Sequence, residues 1–153
     1  MNTRFMIRRD LPAVLEIEDA SFEFPWGVND FLGVLRERNC IGLIAEDRNK
    51  VIGYAVYEIH RCRLQLLSFA VAPEHRRRGA GTMLLKRLTG RLSAKRRNRI
   101  TCEVRETNLT ALNFLKSQGW KAYDVLRGFY RDSDEDAYAM RFRCTEQSEV
   151  ISR

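Results

Sequence analysis

Histidine and closely spaced cysteine, the usual ligands of zinc, are scarce in this chain. Only two of 153 residues are histidine, His60 and His75, and no C-x-x-C pair occurs. The four cysteines are widely separated: Cys40, Cys62, Cys102 and Cys144. Zinc sites that can be recognised from sequence have ligands only a few residues apart. We therefore expect reduced, buried cysteines and no metal.

Long apolar runs and repeats are missing as well. No window reaches the roughly 20 apolar residues of a membrane span, and residues 1–6 lack the apolar core of a secretory signal. These absences predict a cytoplasmic protein with no membrane partner. With 44% apolar residues, the chain suits one domain over residues 1–144, followed by a polar tail over residues 145–153.

Acidic residues are outnumbered by basic ones, and the formal net charge is +7. Such a charge suits an acidic partner, either a nucleic acid or the phosphates of a coenzyme. Basic clusters at residues 76–78 and 95–99 could contact RNA, but no groove-reading motif or aromatic platform accompanies them. Nucleic-acid binding is therefore the weaker of these two interpretations.

The sequence is organised around a glycine loop between a strand and a helix. An apolar run at residues 66–72 ends at Pro73, and Gly79 and Gly81 follow the basic residues 76–78. The next helix has an apolar face made of Leu84, Leu85, Leu88 and Leu92. The unpaired N–H groups at a helix start attract anions, and glycine lets a phosphate approach them. The loop is therefore either a polyphosphate site or a tight turn beside a solvated basic run.

Two known phosphate-binding patterns do not fit this loop. The Walker pattern requires a Lys-Ser/Thr pair after its second glycine, and none is present. The dinucleotide fingerprint requires a third glycine, where this chain has Leu84. Both sequence patterns are therefore excluded for this loop.

Periodicity predicts alternating strands and helices. Strands are expected at residues 3–8, 40–46, 51–59, 64–72, 100–105, 120–125 and 136–144. Helices are expected at residues 10–20, 29–35, 79–95 and 109–118. Asn29 should cap the second helix, and residues 47–50 should form a hairpin connection. The strand at 100–105 follows a strand-helix unit, so it should lie parallel to the strand at 64–72.

Alternation along residues 100–105 separates apolar from polar side chains. Ile100, Cys102 and Val104 share one face, which leaves Glu103 on the other face in the middle of a central strand. The carboxylate at this position is either a functional base or a partner in an ion pair with Arg105 or another arginine.

Four motifs together resemble the GNAT acetyltransferase superfamily. Residues 76–81, R-R-R-G-A-G, match its R/Q-x-x-G-x-G/A loop. Residues 103–108, E-V-R-E-T-N, with G-W at 119–120, are similar to the E-V-R-x-S-N…G-F signature of ribosomal-protein alanine N-acetyltransferases of the RimI type. Residues 24–26, F-P-W, and 127–130, R-G-F-Y, resemble two further segments of those enzymes. The resemblance implies an α/β fold, with a mixed sheet of about seven strands, four helices, and two central parallel strands that splay apart for the coenzyme.

The resemblance also implies which residues bind acetyl-CoA and which act on the substrate. Coenzyme contacts are expected from Phe69, Ala70, Val71, Arg76, Arg77, Arg78, Gly79, Ala80, Gly81, Thr82 and Asn108. Substrate contacts are expected from Phe24, Trp26, Arg105 and Tyr130. Glu103 matches the general base that helps an amine to attack the thioester. An α-amino group, with a pKa of about 7.7–8.0, needs less help than lysine at about 10.4.

One position departs from the family pattern. Leu115 stands where the family has a tyrosine that protonates the departing thiolate, and Phe114 beside it also lacks a hydroxyl. Tyr130 or a water could replace that acid, or turnover could be slow.

The leading hypothesis is acetylation of a protein N-terminus, for example of a ribosomal protein, by a monomer or homodimer whose basic surface could contact ribosomal RNA. Acetylation of a small amine and coenzyme binding without catalysis are the alternatives.

Overall fold

The structure is a computed structural model, and it describes residues 1–144. Its strands are β1 (Asn2–Phe5), β2 (Cys40–Asp47), β3 (Lys50–Ile59), β4 (Arg63–Val71), β5 (Arg99–Arg105), β6 (Lys121–Tyr130) and β7 (Glu135–Arg143). Its helices are α1 (Leu11–Ser21), α2 (Val28–Leu35), α3 (Ala80–Thr89) and α4 (Leu109–Ser117). The predicted tail at residues 145–153 lies outside the described residues.

The strands form one mixed sheet in the order β1-β2-β3-β4-β5-β7-β6. Strands β4 and β5 are parallel, with Arg63, Leu64 and Gln65 paired with Arg99, Ile100 and Thr101. The paired strands β1/β2, β2/β3, β5/β7 and β6/β7 are antiparallel. The predicted mixed sheet and parallel pair are therefore confirmed, whereas the splaying of the pair stays a prediction. No helix within residues 1–144 is long and apolar enough to cross a membrane.

The hairpin between β2 and β3 is tighter than predicted. Its turn consists of two residues, Arg48 and Asn49, with φ values of 51° and 66°. Two successive left-handed residues characterise the two-residue turn that matches the twist of a hairpin. The prediction of a four-residue connection at 47–50 was therefore wrong, because Asp47 and Lys50 pair with each other in the ladder.

Helix α2 begins earlier than predicted. Gly27 is its N-cap, and the Asp30 carboxylate accepts a hydrogen bond of 2.8 Å from the Gly27 N–H. Asn29 lies inside the first turn, so the prediction that it caps the helix was wrong. A carboxylate in the first turn also interacts favourably with the helix dipole, which gives Asp30 a second reason to be there.

Helix α3 ends well before its predicted limit at residue 95. It stops at Thr89, immediately before Gly90, a residue that costs about 1 kcal/mol inside a helix. Lys95, Arg96 and Arg97 therefore lie beyond the helix. Arg97 instead donates a hydrogen bond of 2.7 Å to the His60 carbonyl.

Strand β6 is longer than predicted and reaches Tyr130. It has two irregular positions, between Ala122 and Asp124 and between Leu126 and Tyr130. The segment at 127–130 is therefore the end of an edge strand, although the sequence had indicated a connection. The turn to β7 contains Asp134 at a φ of 56°.

The chain divides into two compact units, and the prediction of one domain over residues 1–144 stays a prediction. The first unit consists of Met1–Ile59 and Leu66–Leu88. Its core has apolar side chains from α1, α2 and strands β2 to β4. They are Leu11, Val14, Ile17, Phe31, Ile44, Tyr54, Val56 and Ala70, with Ala72 just after β4.

The second unit consists of His60–Gln65 and the described residues from Thr89 onward. Ile100, Cys102 and Val104 of β5 are buried as the alternation predicted. All four cysteines are free, as expected, but burial holds only for Cys102. Cys62 is exposed because it lies in the turn before β4, so the prediction of buried thiols was wrong there.

Candidate active site

The glycine loop leaves an open approach to the start of helix α3. Gly79 has a φ of 90°, which an L side chain rarely adopts, and a Cβ added there would meet no atom within 4 Å. The Met83 N–H donates to the Gly79 carbonyl at 3.0 Å and closes the first helical turn. The N–H groups of residues 80–82 precede this bond, so they have no acceptor inside the helix. Such a cradle fits the pyrophosphate of a coenzyme.

Two of the three loop arginines have partners in the first unit. Arg76 donates to the Val71 carbonyl at 3.0 Å and to the Ser21 hydroxyl at 3.2 Å. Arg78 forms an ion pair of 3.2 Å with Asp47. These contacts fix the shape of the loop at the end of β4.

Positive charge also surrounds a pocket next to the loop. The pocket is lined by Thr3, Gly79, Thr82, Met83, Lys86 and Arg87. Lys86 and Arg87 lie in the last turns of α3 and are exposed. The predicted coenzyme residues from 76 to 82 are thus accompanied by two cations that were not among the predicted site residues.

The other coenzyme residues predicted in this unit belong to the end of β4. Ala70 is buried, and Phe69 and Val71 are partly exposed. The Val71 carbonyl is the acceptor for Arg76, and the next residue, Ala72, donates its N–H to the Ile52 carbonyl at 2.8 Å. This end of the strand is therefore firmly attached to β3.

The buried carboxylate of Glu18 anchors residues 24–26, the aromatic segment between α1 and α2. Glu18, only 3% exposed, accepts hydrogen bonds from the Trp26 N–H at 2.9 Å, from the Ser68 hydroxyl at 3.0 Å and from the Tyr54 hydroxyl. The Trp26 ring meets Phe31 edge-on at 5.0 Å. Phe24 is 38% exposed. The segment is therefore anchored at Trp26, whereas the Phe24 side chain is exposed.

Glu103 lies on the polar face of β5 that alternation predicted. Its Oε2 accepts a hydrogen bond of 2.7 Å from the Gln65 side chain on β4. Arg105 forms its ion pair with Asp132 at 2.7 Å, and no ion pair to Glu103 occurs within residues 1–144. The alternative interpretation of Glu103 as an ion-pair partner of Arg105 was therefore wrong.

Burial raises the pKa of Glu103 above its ordinary value. Three interactions lower this pKa and so oppose the rise: a hydrogen bond from its own backbone, the positive charge of Arg63, and the hydrogen bond from Gln65. A carboxylate with a raised pKa is a stronger base than one in water, and it stays ionised only above that raised pKa.

Tyr130 and Arg105 form a second cluster in this unit. The Arg105 guanidinium lies 3.9 Å from the centre of the Tyr130 ring. Burial raises the pKa of Tyr130 to about 12, although the Arg105 charge opposes the rise and the Glu103 charge adds to it. The Tyr130 hydroxyl therefore stays protonated at neutral pH. Arg105 in turn lowers the pKa of Asp132 by hydrogen bonding to it.

Asn108 caps helix α4. Its side-chain oxygen accepts a hydrogen bond of 3.2 Å from the Ala111 N–H.

The predicted site residues fall into two groups. The first unit contains Phe24, Trp26, the end of β4 and the glycine loop. Glu103, Arg105, Asn108 and Tyr130 belong to the second unit.

The sequence profile of the Acetyltransferase (GNAT) family matches residues 11–120. The chain belongs to this family. The [ribosomal protein bS18]-alanine N-acetyltransferase of Salmonella typhimurium is 33% identical over 144 residues, which cover 92% of this chain and 96% of that protein. Both the resemblance drawn from the sequence and the expectation of an acetyltransferase are confirmed.

Solved structures agree with the family assignment. The ribosomal-protein-S18-alanine N-acetyltransferase from Escherichia coli matches with a TM-score of 0.82 and 25% identity, over 94% of each chain. Naa20 of Chaetomium thermophilum, in complex with a bisubstrate analogue, matches with a TM-score of 0.83 and 25% identity, over 99% of this chain and 90% of that one. The fold is therefore that of GNAT acetyltransferases.

Leu115, the departure from the GNAT pattern, is a core residue. It is 3% exposed and lies on the buried side of α4 with Leu112. Its burial explains why an apolar side chain is stable there.

Within residues 1–144 no group of three His, Cys, Asp or Glu side chains could hold a metal ion.

Two polar residues of these sites were missed by the sequence analysis, Gln65 and Glu18. Gln65 is 8% exposed in the middle of a strand, and Glu18 occupies the buried stripe of α1 that also contains Leu11 and Val14. A polar residue at an apolar position was the available signal in both cases, because such a residue needs hydrogen-bond partners.

Proposed function

We propose that this GNAT acetyltransferase transfers the acetyl group of acetyl-CoA to the α-amino group of a protein N-terminus. The relatives named for alanine N-acetylation, which match over almost the whole chain, support this acceptor. A ribosomal protein is accordingly the first candidate substrate. A cytoplasmic location, a monomeric or homodimeric state and contact with ribosomal RNA stay predictions.

The observation that carries the proposal is the environment of Glu103. This carboxylate is half-buried, hydrogen-bonded to an amide and, within residues 1–144, not neutralised by an ion pair, so its basicity is kept. An α-amine is mostly protonated at neutral pH, with a pKa of about 7.7–8.0, and it attacks only as the free base. Glu103, directly or through a water, would accept that proton.

The remaining residues would bind and orient. The Gly79 loop and the first N–H groups of α3 would receive the pyrophosphate, with Arg77 contributing charge. The backbone at residues 69–71 and the Asn108 side chain would contact the pantetheine arm. Acetyl-CoA supplies the activated acyl group as a thioester.

The acceptor would meet aromatic and charged side chains. Phe24 and Trp26 would contact the first residues of the substrate, and Trp26 is already fixed by its hydrogen bond to Glu18. Arg105 and Tyr130 are the other two residues that we expect to contact the substrate, and each restrains the other because the guanidinium stacks on the ring.

Two other functions make different predictions. A small-amine acetyltransferase would acetylate a polyamine, and a coenzyme-binding module would bind acetyl-CoA without turnover. The buried Leu115 at the position of the family's acid is the observation that favours this second alternative.

The test uses acetyl-CoA and three sets of acceptors. They are peptides with a free N-terminal alanine, the same peptides with a blocked N-terminus and an internal lysine, and a polyamine. Coenzyme release and mass spectrometry should locate the acetyl group at the free N-terminus alone. Faster reaction of the polyamine would overturn the proposal, as would tight coenzyme binding with no product from any acceptor.

A further inference from the structure

Four polar side chains form a continuous hydrogen-bonded row across β4 and β5. Arg63 and Gln65 are two positions apart on β4, and Thr101 and Glu103 are two positions apart on β5. Gln65 is the direct cross-strand partner of Thr101 in the parallel register. Because side chains two apart share a face, the four groups lie side by side. All of them belong to the second unit.

The hydrogen bonds of this row point in one direction, from the arginine to the carboxylate. Arg63 Nη1 donates to the Thr101 hydroxyl at 3.0 Å and also to Gln65 Oε1. The Thr101 hydroxyl donates to Gln65 Oε1 at 2.6 Å. Gln65 Nε2 then donates to Glu103 Oε2 at 2.7 Å. Hydrogen bonds arranged in such a sequence polarise and strengthen one another.

The two donors to Oε1 determine which end of the Gln65 amide meets Glu103. If the amide were turned over, its NH₂ group would face the donors of Arg63 and Thr101, and its oxygen would face the carboxylate. Both contacts would then be repulsive or unsatisfied. The orientation of Gln65 therefore follows from its partners, and it presents a donor to the ionised form of Glu103.

We infer that Gln65 is a positioning residue, which aims the Glu103 carboxylate and keeps it ionised, and whose own orientation is fixed by Arg63 and Thr101. This inference rests on the proposed function, since it assigns Gln65 to the base of that reaction. The hydrogen bond stabilises the charged form only, so it offsets the burial that otherwise favours the protonated acid.

Other groups around Glu103 do not duplicate the Gln65 contact. Strand β7 places the small side chain of Ala139 directly opposite Glu103 and Arg141 opposite Thr101. On β5 itself the neighbouring titratable groups are Cys102, which is buried and has a raised pKa, and Arg105, which is paired with Asp132. Tyr130 of β6 stays neutral at working pH. Gln65 is the side chain that hydrogen-bonds to Glu103 within residues 1–144.

The test measures the pKa of Glu103 directly and compares it with the rate profile. Carbon-13 NMR of glutamate-labelled protein follows the Glu103 carboxyl carbon during a pH titration, and Glu103→Gln identifies the signal. Gln65→Met keeps the length of the side chain and removes the donor. Thr101→Val keeps the shape of the threonine and removes one of the two donors to Oε1. Gln118→Met makes the same chemical change at the end of α4 and is the matched control.

The pKa of Glu103 should rise by about one unit in Gln65→Met, by less in Thr101→Val, and not at all in Gln118→Met. The acid limb of kcat/KM should move to higher pH by the same amount, so the rate below that limb falls about tenfold. Above the limb Glu103 is ionised in both proteins, so the rate should recover to within a few-fold of the wild type, and the deficit that remains measures the lost aim of the carboxylate. A titration that is unchanged in Gln65→Met refutes the inference.

The design separates this inference from the proposed function. A raised Glu103 pKa in Gln65→Met, together with no turnover of any acceptor by the wild type, would refute the function and support the inference. Turnover by the wild type with the same titration in both proteins would refute the inference alone. If Gln65→Met melts too low to be titrated, Thr101→Val decides: no rise in the pKa of Glu103 in that variant refutes the inference.

Discussion

The substitution Glu103→Gln tests the proposed base with little change in shape. The glutamine oxygen can still accept the hydrogen bond that Gln65 donates at 2.7 Å, so the fold should be unaffected. What is lost is the ability to take a proton. Removing a general base costs about 10²–10⁴-fold in rate, which corresponds to about 2.7–5.4 kcal/mol in the activation free energy.

The pH dependence of Glu103→Gln gives the sharper test. At pH 7 roughly one-tenth of an α-amine with a pKa near 8 is already neutral. Raising the pH can therefore increase the free-base fraction, and with it the rate of the variant, by at most about tenfold. The wild type should instead lose activity as the pH falls through the raised pKa of Glu103, because the base is then protonated.

Initial rates of coenzyme release with saturating acetyl-CoA, measured from about pH 5.5 to 9.5, provide the assay. Glu106→Gln is the matched control, since Glu106 is an exposed carboxylate just beyond β5. A Glu103→Gln enzyme with wild-type rates at pH 7 would show that the base lies elsewhere. A variant whose rate recovered a hundredfold at high pH would contradict the limit set by the amine.

Three further predictions concern the coenzyme loop, the missing acid and the buried carboxylate. Gly79→Glu should abolish coenzyme A binding in calorimetry. Gly79→Ala imposes the same backbone strain but has open space around its Cβ, so it should still bind coenzyme A. Equal coenzyme A affinities in the two variants would identify the loop as a simple turn. Leu115→Tyr should lower the melting temperature by several degrees, because overpacking a site that is 3% exposed costs about 1–3 kcal/mol. An unchanged melting temperature with a higher kcat would instead show that the site has room for an acid. Tyr54→Phe should destabilise the protein by about 1–3 kcal/mol in urea denaturation, since Glu18 loses one of its donors, while the exposed Tyr123→Phe should have no effect.

Local patterns allowed most of the fold to be predicted. Pro73 and Gly79 separate a strand from a helix, and the alternation of residues 100–105 correctly placed Glu103 on the face opposite to Ile100 and Val104. Errors occurred where a boundary depends on a single contact. Asp30 rather than Asn29 supplies the bond at the start of α2, and two left-handed residues shorten the β2–β3 turn.

The environment of Glu103 could not be predicted in the same way. Gln65 and Glu103 are 38 residues apart, and they meet only because β4 and β5 pair in one particular register. A shift of this register by one residue would place Gln65 beside a different side chain. The sequence therefore identified the carboxylate, whereas its hydrogen-bond partner required the structure.

Tyr130 illustrates why a hydroxyl in the second unit does not simply replace the acid that is absent at Leu115. With a pKa of about 12, Tyr130 holds its proton far more tightly than a thiol with a pKa near 8.5. We therefore expect Tyr130 to assist the departing sulfur chiefly by donating a hydrogen bond from its neutral hydroxyl.

A thiolate with a pKa near 8.5 is in any case a tolerable leaving group, which can take its proton from water after it departs. Tyr130→Phe should accordingly lower kcat by a factor that is constant from about pH 6 to 9, because the hydroxyl stays protonated throughout that range. Rates and pH profiles of Tyr130→Phe and the wild type measure this factor. A loss that shrinks as the pH rises within this range would contradict this assignment, because it would mean that the Tyr130 hydroxyl titrates there and acts as an acid.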